Sequence, residues 1–231
     1  MELTFIAPHH DDIAFSCSLF LQECIDEHHD ISIINCFTKS NYNLFGDKME
    51  TIDLAQNTMM RTEEDIAFFS SYSTKANRID LALNDAPLRN DLIIQRPFEE
   101  EEDLAEFHHL KEKMLHLDKS NYVIPLTLGN HIDHVITSNL FVENYRNKIY
   151  AFYEDLPYAG ELSEKQILQK IIDFEVDYKI SLKPYLVEGF SFQFKKDKCW
   201  HYKSQIDKEI LGLIEKQYIR LNNSERIWLV E

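Results

Sequence analysis

The first 37 residues set the strongest limit on how this chain can fold. Leu3, Phe5 and Ile6 read as a short buried strand. Ile13 to His29 carries apolar residues at Ile13, Phe15, Cys17, Leu19, Phe20, Cys24 and Ile25, which suits a helix packed on a sheet. Ile31 to Phe37 is dense in β-branched residues and reads as a second buried strand. Strand, helix and strand in so short a span make a βαβ unit, the building block of parallel sheets. The chemistry lies at the exits of such strands. Pro8-His9-His10-Asp11-Asp12 ends the first apolar run, and Gly129-Asn130-His131-Ile132-Asp133-His134 follows another, Tyr122 to Leu128. Ligand sites in open α/β sheets form where the chain leaves the carboxyl ends of the strands.

The rest of the chain continues the alternation. Asp53 to Ser70, Leu104 to Leu117, Val135 to Tyr145, Glu164 to Asp173 and Gln205 to Arg220 have helical patterns. Ile79 to Leu83, Tyr122 to Leu126, Ile149 to Tyr153, Val176 to Leu186, Gly189 to Phe194 and Ile227 to Val230 read as strands. Thr38 to Lys48 is a polar, Asn-rich loop after the second strand. The acidic run Glu99 to Asp103 reads as a solvated helix start, where negative charge meets the positive end of the helix dipole. With 231 residues and neither repeat nor linker, one domain over residues 1–231 is expected. Its class is α/β, a three-layer α/β/α arrangement on a mostly parallel sheet with an irregular, partly antiparallel C-terminal third.

Acidic residues outnumber basic ones 40 to 24, a formal net charge of −16. A field of that sign repels polyanions and argues against nucleic acid as a partner. No apolar run approaches the ~20 residues that span a bilayer, and no basic-then-apolar leader opens the sequence, so a cytoplasmic protein is expected. Cys17, Cys24, Cys36 and Cys199 lack the close-paired spacing of a zinc knuckle or redox motif and read as buried thiols. His28, His29, His108, His109 and His116 fall on solvent-facing helical positions.

Catalytic zinc takes three protein ligands and keeps a fourth position for water, whose pKa falls to about 7. A carboxylate that does not bind the metal can remove the water's proton. The first cluster supplies imidazole and two adjacent carboxylates, and the second supplies two imidazoles and a further carboxylate. That inventory suits metal-assisted hydrolysis of an amide or ester. Two other uses of these atoms are open. One is the two-His-one-carboxylate set of non-haem iron oxygenases, at odds with a chain that alternates strands and long helices. The other is a sugar-binding protein of the same fold without turnover.

Pro8-His9-His10-Asp11-Asp12 also resembles the Pro-His-Pro-Asp-Asp signature of the LmbE-like (PIG-L) N-acetylglucosaminyl deacetylase superfamily, with His10 in place of proline. His131-Ile132-Asp133-His134 resembles its His-x-Asp-His signature. Arg61-Thr62-Glu63-Glu64-Asp65 and Asn84-Asp85-Ala86-Pro87-Leu88-Arg89 match two further motifs. So do Tyr153-Glu154-Asp155-Leu156-Pro157-Tyr158, Tyr202-Lys203-Ser204-Gln205 and Ser224-Glu225-Arg226-Ile227-Trp228. Ser16-Cys17-Ser18-Leu19 departs from the family's Gly-rich continuation. The resemblance implies a Rossmann-like N-deacetylase with one zinc ion, or iron in its place, and an amino-sugar substrate. It assigns His9, Asp12 and His134 as metal ligands and Asp11 as the general base on water. His131 would be oxyanion stabiliser or general acid, with Asp133 tuning it through a hydrogen bond. Arg61 and Asp85 would lie near the sugar hydroxyls. His10 is expected to point away from this site and pack.

Overall fold

The computed structural model describes residues 1–44, 53–73, 76–89, 94–117 and 119–231. Seven strands form one sheet: β1 (Glu2–Ala7), β2 (Asp30–Asn35), β3 (Asn77–Asp80), β4 (Tyr122–Pro125), β5 (Ile149–Tyr153), β6 (Leu182–Val187) and β7 (Glu225–Val230). Their order is β3-β2-β1-β4-β5-β7-β6. The first five are parallel, and β7 and β6 join antiparallel. From their second residues onward β1 and β2 are buried, and β4 is buried throughout, as strands covered on both faces must be. Strand β6 lies at an edge and carries Pro184, a residue that has no N–H to offer a neighbour.

The order reverses between β1 and β4. From β1 the chain runs outward through β2 to β3, and from β4 it runs the other way to β5. Neighbouring parallel strands thus release their chains side by side, at the switch point where a crevice opens. Both His/Asp clusters leave the sheet there.

Helices α1 (Asp12–Ser16) and α2 (Ser18–Asp26) divide the single helix expected over Ile13 to His29. Cys17, at φ −140°, breaks the helical path between them. Ser16 Oγ accepts the Leu156 N–H at 3.0 Å, which ties that break to the loop after β5. The α2 helix packs on β2, β6, β7 and on α8 (Phe192–Cys199). Across the sheet, α4 (Glu100–Met114) packs on α5 (Ile132–Asn144), which covers β4. Helices α3 (Leu54–Ser70), α6 (Tyr158–Glu161), α7 (Glu164–Tyr178) and α9 (Lys208–Arg220) complete the set among the described residues.

Several expectations need correction. Gly189 to Phe194 is not a strand, because Ser191 caps α8 by accepting the Phe194 N–H. Val176 to Leu186 straddles the end of α7 and the start of β6, which meet through Lys179 at φ 53°. Not all of the acidic run is solvated: Asp103 is buried, held by Arg96 at 2.6 and 2.8 Å and by the Glu99 N–H at 2.8 Å. His28, His108, His109 and His116 are exposed, and His29 is half-buried against Glu27. Residues 45–48 of the loop expected over Thr38 to Lys48 lie outside the described residues. Among the described residues no helix is long and apolar enough to cross a membrane.

The two antiparallel strands are fastened beside the site. Buried Glu154 accepts from Arg226 Nε at 2.5 Å, Trp228 Nε1 at 3.0 Å and Gln217 Nε2 at 2.5 Å, and Arg226 reaches on to Glu164. Removing one partner of a buried ion pair strands the other charge. Arg226→Leu should therefore destabilise the protein by about 3–5 kcal/mol in urea unfolding, and Arg226→Leu with Glu154→Gln should recover most of that loss.

Candidate metal centre

Residues leaving β1 and β4 meet in one cluster. His9, Asp11 and Asp12 follow β1, while His131, Asp133 and His134 occupy the cap and first turn of α5. The His9 ring centroid lies 4.8 Å from that of His131 and 5.4 Å from that of His134. The segment after residue 93 braces the second cluster: the Ile132 N–H donates to Ile94 O at 2.7 Å and the Arg96 N–H to Asn130 O at 2.9 Å.

Each proposed ligand histidine is held at its far nitrogen by a carboxylate. Asp133 Oδ2 lies 2.8 Å from His9 Nε2, and Asp155 Oδ1 lies 2.5 Å from His134 Nδ1. The remaining nitrogens face Asp12: His9 Nδ1 is 3.6 Å from its Oδ2 and His134 Nε2 is 3.3 Å from its Oδ1. Donors around a tetrahedral ion with bonds of ~2.0–2.2 Å lie roughly 3.3–3.6 Å apart. The two separations are of that size, although His9 and His134 face different oxygens of Asp12, and the three donor atoms that converge within 4.8 Å of one another here belong to His9, His131 and His134. A carboxylate behind a histidine is the usual second layer of metal sites. The mixed imidazole and carboxylate set is the donor chemistry of zinc or iron.

Asp133 meets His131 through its backbone N–H, whereas its carboxylate faces His9. Its carboxylate turns to His9, accepts the Ala86 N–H at 3.0 Å and pairs with Arg89 at 2.7 Å, while His131 receives only its backbone N–H, at 3.3 Å on Nδ1. A spacing of two residues does not disclose which ring the carboxylate faces. Asp155, inside the Tyr153-Glu154-Asp155-Leu156-Pro157-Tyr158 motif, supports His134 and is a site residue that spacing alone does not reveal. The motif match was the only sequence signal for it.

Electrostatics separates the imidazoles. Burial opposes charge on His134, but Asp12 and Asp155 on its two nitrogens outweigh that and hold it well above its ordinary value of 6.5. Burial also opposes the Asp12 charge, yet His134 and His9 bring its carboxyl down to about 2. For His131 burial comes first, His9 adds to it, and the pull of Asp133 is overcome, so its pKa falls to about 3. His131 is neutral near pH 7. Because Nδ1 accepts the Asp133 N–H, the ring proton sits on Nε2.

Beside the cluster lies a cavity of about 170 Å³ lined by His9, Asp11, Arg61, Asp85, His131 and Tyr158, among others. Arg61, on α3, is buried. Its Nη2 donates to Asp11 Oδ1 at 3.0 Å, and its Nη1 is 3.9 Å from Asp85 Oδ2. Tyr158 packs over Gly129, where a Cβ would come within 2.2 Å of the Tyr158 ring. His10 turns away from the cluster and is buried.

No protein-family model and no characterised protein sequence matches the chain. Solved structures do. The deacetylase Orf2 of the teicoplanin biosynthetic pathway matches as a triple mutant at TM-score 0.68 and 19% identity. Its zinc-inhibited form matches at 0.67 and 18%, and both alignments cover 100% of this chain and 98% of the other. N,N'-diacetylchitobiose deacetylase from Pyrococcus horikoshii matches at 0.59 and 14%, covering 100% of this chain and 83% of the other. The 4-carboxy-2-hydroxymuconate hydratase GalB from Pseudomonas putida matches at 0.57 and 9%, covering 99% and 95%. The chain shares, from end to end, the fold of deacetylases in the superfamily its motifs resemble, on which hydration chemistry is also found.

The raised pKa of His134 has a measurable consequence in protein freed of metal. A group raised on folding adds stability that is complete below its unfolded value of 6.5 and disappears as pH climbs through the folded value. Thermal unfolding of the chelator-treated protein should show Tm falling above pH 6.5. The fall should be shallower in Asp155→Asn, which removes one of the two carboxylates holding the proton.

Proposed function

We propose that the chain is a metal-dependent hydrolase that removes an N-acetyl group from an amino sugar or amino-sugar conjugate, as a member of the LmbE-like superfamily. The observation that carries this reading is the aim of His9 Nδ1 and His134 Nε2 at one carboxylate, Asp12, with His9 lining a cavity that Asp11 and His131 share. A divalent ion held there, zinc or iron, would polarise the attacking water and the scissile carbonyl.

The residues around it divide the remaining work. Asp11 neighbours a ligand in sequence but points into the cavity, so it can take the proton from water without leaving its hydrogen bond to Arg61. The Arg61 guanidinium fixes which Asp11 oxygen is free. His131 is neutral and carries its proton on Nε2, which suits it to donate to the carbonyl oxygen as charge develops there. The general-acid alternative needs an imidazolium, which the burial of His131 disfavours. Proton return to the departing amine then falls to Asp11 once it is protonated. Asp133 and Arg89 act through His9, and Asp155 through His134, as positioning groups. Arg61 and Asp85 line the cavity where sugar hydroxyls would bind.

Incubation with N-acetylglucosamine conjugates should release acetate. Asp11→Asn should lower kcat on the order of 10²–10⁴-fold while metal content per chain is unchanged. His131→Ala should lower kcat on the order of 10²–10³-fold. Full activity in Asp11→Asn would overturn the base assignment. Tight sugar binding with no acetate from the native chain would overturn hydrolysis.

A further inference from the structure

Apart from the cluster at His9, the described residues hold one other convergence of possible metal donors: His10, Asp65 and Asp80, with atoms within 4.8 Å of one another. His10 follows His9, but successive side chains leaving a strand point apart. It therefore faces the exits of β2 and β3 instead of the catalytic cavity. Only 1% of it is exposed, and its Nε2 has no hydrogen-bond partner. That nitrogen lies 3.6 Å from Asp80 Oδ1, which is too long for a hydrogen bond but suits two donors on one ion with bonds of ~2.0–2.2 Å.

Asn35 closes the set. Its Nδ2 lies 2.9 Å from Asp80 Oδ1 and 3.0 Å from Asp65 Oδ2, while its Oδ1 is buried without a partner. The two ends of an amide are interchangeable by a half-turn. Turned over, the amide would bring oxygen against both carboxylates and free its N–H groups, an arrangement that holds only with a cation among the oxygens. Arg78 grips the carboxylates from the more exposed side, 2.8 Å from Asp65 Oδ2 and 3.1 Å from Asp80 Oδ2. Tyr202 donates to Asp65 Oδ1 at 2.7 Å. These contacts leave His10 Nε2 and Asp80 Oδ1 facing inward. Beside these paired carboxylates, His10 Nε2 and Asn35 Oδ1 are buried without a hydrogen-bond partner.

We propose that His10, Asn35, Asp65 and Asp80 form a second site, for a divalent transition-metal ion. One nitrogen and three oxygens suit zinc or manganese. The ion joins the exits of β1, β2 and β3 to α3. Helix α3 carries Arg61 one turn before Asp65, so the ion braces the helix that presents Arg61 to Asp11. Its role is structural, since none of its donors lines the cavity.

The full chain, stripped with chelator and dialysed against zinc or, separately, manganese, is tested by elemental analysis and calorimetric titration. The native chain should bind two ions. His10→Phe should bind one, with an unchanged far-ultraviolet circular dichroism spectrum, and Asp80→Asn should give the same loss through a different donor. His134→Ala should also bind one ion, and that ion should disappear when His10→Phe is added. A native chain that binds one ion, lost in His134→Ala, would overturn the second site and leave the catalytic reading intact. Two ions persisting in both His10→Phe and Asp80→Asn would also overturn it. A single ion that follows His10 and ignores His134 would support this site and overturn the metal reading of the first.

Discussion

Each of two imidazoles is held from behind by a carboxylate and aimed at a third carboxylate between them. Asp133 grips His9, Asp155 grips His134, and Asp12 receives both. The rest of the architecture serves this arrangement. The residues come from three strand exits, β1, β4 and β5, which are consecutive neighbours in the sheet. Had the order not reversed between β1 and β4, the two clusters would leave the sheet far apart. The geometry therefore depends on topology before it depends on any side chain.

Much of this was legible in the sequence because it is local. Apolar runs at Leu3 to Ile6 and Tyr122 to Leu128 mark strands buried on both faces, and polar residues just beyond them mark the site. What could not be read is which partner a side chain selects across space. Asp133 lies two residues after His131 in the chain, yet its carboxylate serves His9, because α5 turns it towards Ala86 and Arg89. Phe190, Phe192 and Phe194 alternate as a strand would. Ser191 nevertheless caps a helix there, and Lys195 on that helix is buried against Glu225. A local period of two lost to a cap and a tertiary ion pair. The helix that carries Arg61 is mostly polar, and its pattern alone does not show that the guanidinium is buried against Asp11.

Arg61 also shows how a strongly acidic chain can concentrate carboxylates without repulsion dominating. Asp11, Asp12, Asp85, Asp133 and Asp155 crowd one region, and each has a donor within reach: Arg61, His134, the Leu88 N–H, Arg89 and the Leu128 N–H. Buried charge of one sign persists where donors are fixed in place beforehand.

Glu154 and Asp155 are neighbours in the chain with opposite allegiances. Glu154 faces the fastening of the antiparallel strands through Arg226 and Trp228, while Asp155 faces His134. One peptide unit thus links the site to residues more than seventy positions later. On a ribosome, β1, β4 and both His/Asp clusters would emerge well before β7. Asp155, the support of His134, is made with the exit of β5, whereas Glu154 beside it gains its full set of donors only once Arg226 and Trp228 have been added.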